Sequence, residues 1–140
     1  MLKNIPPVIG PDLLKILMEM GHGDEIVISD GNFPAAAKAK RLVRMDGLGV
    51  CEILEAVLQL FPLDHMQQNV LLMEVSKNDT VKTPIWKEFD TICKKGDSHY
   101  KGYAAIDRFE FYERAEKAYA VIATSEKALY ANIILKKGVV

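Results

Sequence analysis

Hydrophobic positions and the residues that flank them indicate helices in four parts of the chain. The predicted helices cover residues 11–20, 50–61, 84–96 and 109–118. Pro11 suits the opening turn of the first helix, Gly21 is placed to end it, and Pro62 follows the second. Thr83 and Pro84 have the character of a helix cap and a first helical position for the third. The polar faces of these segments are typical of helices that cover a core on one side only.

Short apolar runs lie between these helices and are typical of strands covered on both faces. The predicted strands cover residues 26–28, 41–44, 70–75, 103–106, 119–124 and 130–137. Their alternation with helices predicts a single layered α/β/α domain over residues 1–140, with a mixed, mostly parallel sheet. Strand, helix and strand between residues 103 and 124 imply a right-handed parallel crossover. Because only the short stretch "SEKAL" joins the last two strands, we expect the last strand to form an antiparallel hairpin.

Composition excludes several classes of protein. A chain of 140 residues with 49% hydrophobic content suffices for one domain with a substantial core. The net charge of -1 favours neither nucleic acid nor an anionic membrane as a partner. No apolar run approaches the length of a membrane span, and adjacent prolines interrupt the N-terminal segment where a signal peptide would be apolar. Cys51 and Cys93 stand alone, without the spacing of a metal site, so we expect no metal and a reducing cytoplasm.

Polar residues follow or precede several predicted strands on one edge of the sheet. Asp30 follows the 26–28 strand and Arg108 the 103–106 strand, at the carboxyl ends where open α/β sheets bind ligands. Tyr130 and Asn132 open the last strand, which runs in the opposite direction and therefore begins at the same edge. Carboxylate, amide, phenol and guanidinium groups together can pair with the hydroxyl groups of a sugar.

Each of these residues also has a purely structural alternative. Asp30 belongs to "DGN", which is ordinary turn chemistry, and Arg108 could form a surface ion pair. Tyr130 could simply pack, and His22 could be a cation at the negative end of a helix. The convergence of the residues favours a binding site. The glycines beside His22 leave its imidazole accessible, which favours an enzyme.

Three segments together resemble a known family, the ribose pyranases and fucose mutarotases. They are "EMGHGDEIVISDGNFPA", "FYERAEKAYAVI" and "YANIILKKGV", and the resemblance extends over residues 1–140. "GHGDEI" and "FYERA" are typical of the fucose branch. The resemblance implies a cofactor-free isomerase that interconverts anomers of a free monosaccharide, L-fucose first, and that forms a homo-oligomer, commonly a ring of ten chains.

The resemblance also implies roles for individual residues. His22 would donate a proton, while the contacts to the sugar would come from Asp30, Arg108, Tyr130, Ala131 and Asn132. Ring opening needs one general acid and one general base, and histidine suits such proton transfer near neutral pH. Asp30 could be the base or could only orient the sugar. Tyr112 could shuttle protons or pack.

Two positions depart from the fucose pattern and leave the sugar open. Asn32 stands where fucose mutarotases often have histidine, and Ala131 stands where they often have glycine. The resulting "YAN" is similar to the ribose pyranase version. A ribose pyranase-type enzyme acting on another aldose is therefore one alternative. A non-catalytic monosaccharide-binding protein is the other, although it would not need an accessible His22.

The order of His22, strand and Asp30 along the chain predicts where the two side chains lie. His22 precedes the 26–28 strand and Asp30 follows it, so they belong at opposite edges of the sheet. We therefore expect one active site to take His22 from one subunit and Asp30 from its neighbour in a closed assembly.

Overall fold

Helices and strands alternate along the chain, as the sequence pattern predicts. The computed structural model describes all residues from Met1 to Val140. The helices are α1 (Pro11–Glu19), α2 (Ala35–Lys38), α3 (Val50–Leu58), α4 (Ile85–Gly96) and α5 (Arg108–Lys117). The strands are β1 (Glu25–Ser29), β2 (Leu42–Met45), β3 (Val70–Met73), β4 (Ala104–Ile106), β5 (Ala120–Thr124) and β6 (Ile133–Lys136). None of the helices combines the length and apolar character needed to cross a membrane.

All strands form one sheet, in the order β2-β5-β1-β6-β3-β4. β1 pairs in parallel with β5 and β5 with β2, while β3 pairs in parallel with β4. β6 is antiparallel to both of its neighbours, β1 and β3. The prediction of a mixed, mostly parallel sheet with an antiparallel last strand is therefore confirmed.

The predicted hairpin between the last two strands is wrong. β1 lies between β5 and β6, so the connection from β5 passes over the end of β1 before β6 begins. Gly31 lies under this crossing, where its backbone N–H donates to the Glu126 carbonyl at 2.9 Å. A Cβ at Gly31 would lie 3.1 Å from the same oxygen, so the close passage favours glycine. The connection between β4 and β5 also joins strands that are not neighbours, and these two strands are parallel.

Helices cover both faces of the sheet and produce two apolar cores. Ile26 and Ile28 of β1 face the larger core, which includes buried residues of α1, α3 and α4. Val27 points to the opposite face, where it packs with Phe111 and Ala115 of α5. This period of two along a strand buried on both sides gives the α/β/α layering predicted from the sequence.

Several predicted element ends differ from those in the structure. α2 was not expected, and α3 ends three residues before Phe61. Thr83 does not cap α4, because Pro84 occupies the cap position and no side chain bonds there. The predicted strand 130–137 begins only at Ile133, which leaves Tyr130 and the next two residues in the connection over the sheet edge.

Candidate active site

Asp30 and Asn132 meet at the carboxyl edge of the sheet. Asp30 follows β1 and Asn132 precedes β6, and these two strands are neighbours. The Asp30 N–H donates to Asn132 Oδ1 at 2.8 Å, and Asn132 Nδ2 donates to Asp30 Oδ2 at 3.0 Å. The backbone N–H of Asn32 donates to Asp30 Oδ1 at 3.0 Å. Both buried side chains are thereby fixed in direction.

Burial controls the electrostatics of this carboxylate. Loss of solvent raises the pKa of Asp30 above its ordinary value, and the bonds from Asn32 and Asn132 oppose the rise. None of the ion pairs in the structure involves Asp30. A carboxylate without a cationic partner keeps lone pairs for a ligand and is a stronger base than an exposed aspartate. A cavity of about 320 Å³ borders it.

Tyr130 and Ala131 lie beside this pair, in the segment that leads into β6. Tyr130 has a left-handed backbone, with φ of 56°. Its hydroxyl donates to Asp79 Oδ2 at 2.7 Å, and its carbonyl accepts from Trp86 Nε1 at 2.9 Å. Ala131 is fully buried. Strand direction placed Tyr130 at this edge and the family resemblance added Ala131, but neither gave a sign of Asp79 or Trp86.

Arg108 is exposed and opens α5, just beyond β4. Its guanidinium lies 5.0 Å from the ring centroid of Phe109 and makes no salt bridge. β6 and β3 separate β4 from β1, so about 14 Å of sheet lies between Arg108 and Asp30 at about 4.8 Å per strand. Arg108 therefore borders the same edge without contacting Asp30. Its cavity, of about 170 Å³, is a separate one.

Tyr112 packs in the layer formed by α2 and α5. Its ring meets Phe33 edge to face at 5.6 Å, and Lys38 Nζ lies 5.4 Å from its centroid. Phe33 follows shortly after Asp30 and also meets Phe111 edge to face. Of the two roles considered for Tyr112, packing accounts for these contacts.

His22 lies at the opposite edge of the sheet and pairs with a buried aspartate. His22 Nε2 is 3.3 Å from Asp64 Oδ1, which also accepts from the Met66 N–H at 3.1 Å. The bond from Met66 and the nearby imidazole of His22 hold the pKa of Asp64 below its usual range. With 46% of its side chain exposed, His22 can still reach a ligand. Asp64 was missed because a single aspartate in a polar loop has no sequence signature.

The end of β6 contacts both loops that carry His22 and Asp64. The Asp64 N–H donates to the carbonyl of Lys136, the last residue of β6, and the Gly23 N–H donates to the carbonyl of Lys137, which follows it. Asp30 lies beyond the other end of β1, and about 3.3 Å per residue places it about 16 Å from Glu25. Within one chain, His22 and Asp30 therefore belong to two different sites.

Metal-binding groups are sparse in this structure. No group of three or more His, Cys, Asp or Glu side chains has an arrangement that could hold a metal ion. His65 and His99 approach each other, with ring centroids 5.5 Å apart, and His99 Nδ1 lies 3.2 Å from Asp97 Oδ1. Cys51 and Cys93 are unpaired.

The fold and the Asp30–Asn132 pair define an α/β domain with a polar candidate site at the carboxyl edge of its sheet, where such sheets bind small molecules. The chain belongs to the family described as the RbsD / FucU transport protein family, whose model matches residues 3–140. The family inferred from the motifs is thus confirmed.

Relatives of known structure or name match nearly the whole chain. Human fucose mutarotase is 47% identical, over 99% of this chain and 94% of its own length. The crystal structure of FucU from Bifidobacterium longum is 51% identical with a TM-score of 0.94, covering 99% of both chains. The fucose mutarotase of Streptococcus pneumoniae, crystallised in complex with L-fucose, is 47% identical with a TM-score of 0.91, again over 99% of both chains.

Proposed function

We propose that this chain is a sugar mutarotase that interconverts the α and β anomers of L-fucose. The relatives that match it from end to end include named fucose mutarotases, one of them crystallised with L-fucose. The chain carries a buried carboxylate fixed by an amide at the edge where α/β sheets bind ligands. This pair is the observation that carries the proposal.

The chemistry requires a proton to be given and a proton to be taken. A general acid protonates the ring oxygen while a base removes the proton of the anomeric hydroxyl, and the bond between C1 and the ring oxygen breaks. The open aldehyde rotates, and the reverse transfers close the ring on the other face. Nothing is oxidised or reduced and no covalent adduct with the protein forms, so the reaction proceeds without a cofactor.

We assign Asp30 as the base and His22 as the acid. Burial favours the protonated form of Asp30 and makes its carboxylate a better proton acceptor than an exposed one. His22 is accessible, and its contact with Asp64 fixes the direction of the imidazole. Each group thus has a local environment that suits its role.

We further propose that the acid and the base of one site come from two subunits. His22 and Asp30 lie at opposite edges of the sheet, and a single sugar cannot bridge about 16 Å of strand with hydrogen bonds of about 3 Å. A closed homo-oligomer brings opposite edges of neighbouring copies together. A ring of ten chains in the cytoplasm is the assembly that the family resemblance leads us to expect.

The remaining contacts to the sugar are assigned to residues along the same sheet edge as Asp30. Asn132 has one Nδ2 hydrogen committed to Asp30 and a second one free for a hydroxyl group. Tyr130 and Ala131 lie beside this pair and are assigned as further contacts, while Arg108, three strands away, would have to reach the sugar with its long side chain. Ala131 is fully buried and, with Asn32, separates this chain from the common fucose pattern, so these two positions are where we expect sugar preference to be set.

The test is exchange NMR on an equilibrated sugar. Saturating one anomeric proton of L-fucose should lower the signal of the other anomer when protein is present, because the enzyme accelerates their exchange. Galactose and ribose, run in the same way, rank the substrates. Line broadening without exchange for every sugar would instead identify a non-catalytic binding protein.

A further inference from the structure

Tyr130 has a backbone conformation that a large side chain rarely adopts. Its φ of 56° lies in the left-handed region, and besides glycine only Asn4 shares a positive φ in this chain. Such a conformation persists only where the surroundings impose it, and it often occurs at ligand sites. The contacts that impose it here therefore matter for any ligand that Tyr130 meets.

Two side chains hold Tyr130 at opposite ends. Trp86, near the start of α4, donates its indole N–H to the Tyr130 carbonyl at 2.9 Å. Asp79, in the connection between β3 and α4, accepts the Tyr130 hydroxyl at 2.7 Å. The Trp86 ring is itself supported edge to face by Tyr103, with centroids 5.9 Å apart. The segment between β3 and α4 thus fixes both the backbone and the phenol of Tyr130.

The bond to Asp79 determines what the phenol can offer a ligand. The Tyr130 hydroxyl lowers the pKa of Asp79, and the Val81 N–H adds to this, so the carboxylate is ionised at neutral pH. A hydroxyl has a single proton, and here that proton points to Asp79. The Ser76 N–H donates to Tyr130 Oη at 3.5 Å, so towards a sugar this oxygen presents its remaining lone pair and accepts a hydrogen bond.

We propose that Asp79 and Trp86 are positioning residues, which fix Tyr130 as a hydrogen-bond acceptor for one hydroxyl group of the sugar. This inference rests on the proposed function and extends it to residues outside the family motifs of the sequence. Asp79 acts through the direction of the Tyr130 proton, and Trp86 acts through the Tyr130 backbone. The consequence is a preference for ligands that carry a donor at that position.

Asp79→Ala, Tyr130→Phe and the double variant test the proposal with L-fucose exchange kinetics. We expect either single change to raise KM about tenfold, because one hydrogen bond to the sugar is lost or misdirected, with kcat within about twofold. The double variant should be no worse than Tyr130→Phe, since Asp79 acts only through that hydroxyl. Asp79→Asn keeps an acceptor and should recover part of the loss. Asp46→Ala removes another exposed aspartate from the same edge and should leave KM unchanged.

Trp86 supplies a second readout, because it is the only tryptophan of the chain. Its fluorescence should change as the sugar binds, and Asp79→Ala should move the midpoint of that titration by the same factor as KM. Trp86→Phe keeps an aromatic ring but removes the donor, so it should also raise KM. Thermal melting of each variant checks that it is folded.

The outcomes separate the two proposals. A normal KM for folded Asp79→Ala, or a loss in the double variant equal to the product of the single losses, would overturn the positioning role. Absence of anomer exchange with the wild-type protein would overturn the proposed function instead. The fluorescence titration would still decide whether Asp79 affects sugar binding.

Discussion

Mixing two inactive variants would reveal whether the active site is shared between subunits. His22→Ala removes the acid at one sheet edge, and Asp30→Asn removes the base at the other. Each change should reduce anomer exchange on the order of a hundredfold, the typical cost of losing a proton-transfer group. Neither residue lies in an apolar core, so we expect both variants to fold and to assemble.

The expected recovery follows from the separation of the two residues. A site that takes His22 from one subunit and Asp30 from the next is intact only when both subunits happen to carry the native residue there. With equal amounts and random assembly, each of the two subunits at a site carries the needed native residue with a probability of about one half. Both do so at about a quarter of the sites. Exchange should therefore rise from about 1% to about 25% of the wild-type rate, a recovery of about 25-fold.

The assay uses two affinity tags and exchange NMR. The variants are coexpressed with different tags and purified over both, so that only mixed assemblies remain. Two singly tagged Asp30→Asn populations, mixed in the same way, are the control and should stay inactive. If the mixed assembly forms but remains as inactive as its parents, His22 and Asp30 act within one chain and the argument from the sheet edges fails.

Further predictions concern the same site. Asp64→Asn keeps the shape beside His22 but removes the charge, and should lower kcat about tenfold with KM nearly unchanged; an unaltered kcat would exclude the dyad. Arg108→Lys keeps the charge but loses the planar donor fork and should raise KM, whereas normal binding and turnover would make Arg108 an ordinary surface residue. Because burial raises the pKa of Asp30, activity should fall with decreasing pH through a midpoint above the ordinary value of 3.8. The NMR signal of the Asn132 side-chain amide, which donates to Asp30, should shift with the same midpoint. EDTA should leave activity unchanged, and a loss restored by a divalent ion would contradict the proton-transfer mechanism.

The sequence was a reliable guide where local patterns decide the structure. Apolar periodicity located α1 and α3, and continuous apolar runs located β1 and β5, because burial on one or two faces leaves a direct trace in the chain. Strand order left no such trace. The short connection before β6 indicated an antiparallel strand correctly, but β1 separates β5 from β6, and nothing local shows which strand fills that position.

The sequence alone could likewise place some residues of the candidate site but not others. Asp30 and Asn132 could be placed at one edge because strand direction determines which strand ends meet. Asp64 and Asp79 could not be found, since their partners lie 42 and 51 residues away in the chain. Such contacts exist only once the sheet has formed.

The central position of β6 has a consequence for the order in which the chain folds. β6 is the last strand in the sequence, yet it joins two halves of the sheet, β2-β5-β1 and β3-β4, that have no direct pairing with each other. Until residues 133–136 are available, each half presents an open apolar edge, and the first half cannot align with the second. We therefore expect nascent chains lacking β6 to remain sensitive to protease and prone to association, and protection to appear abruptly once that strand leaves the ribosome.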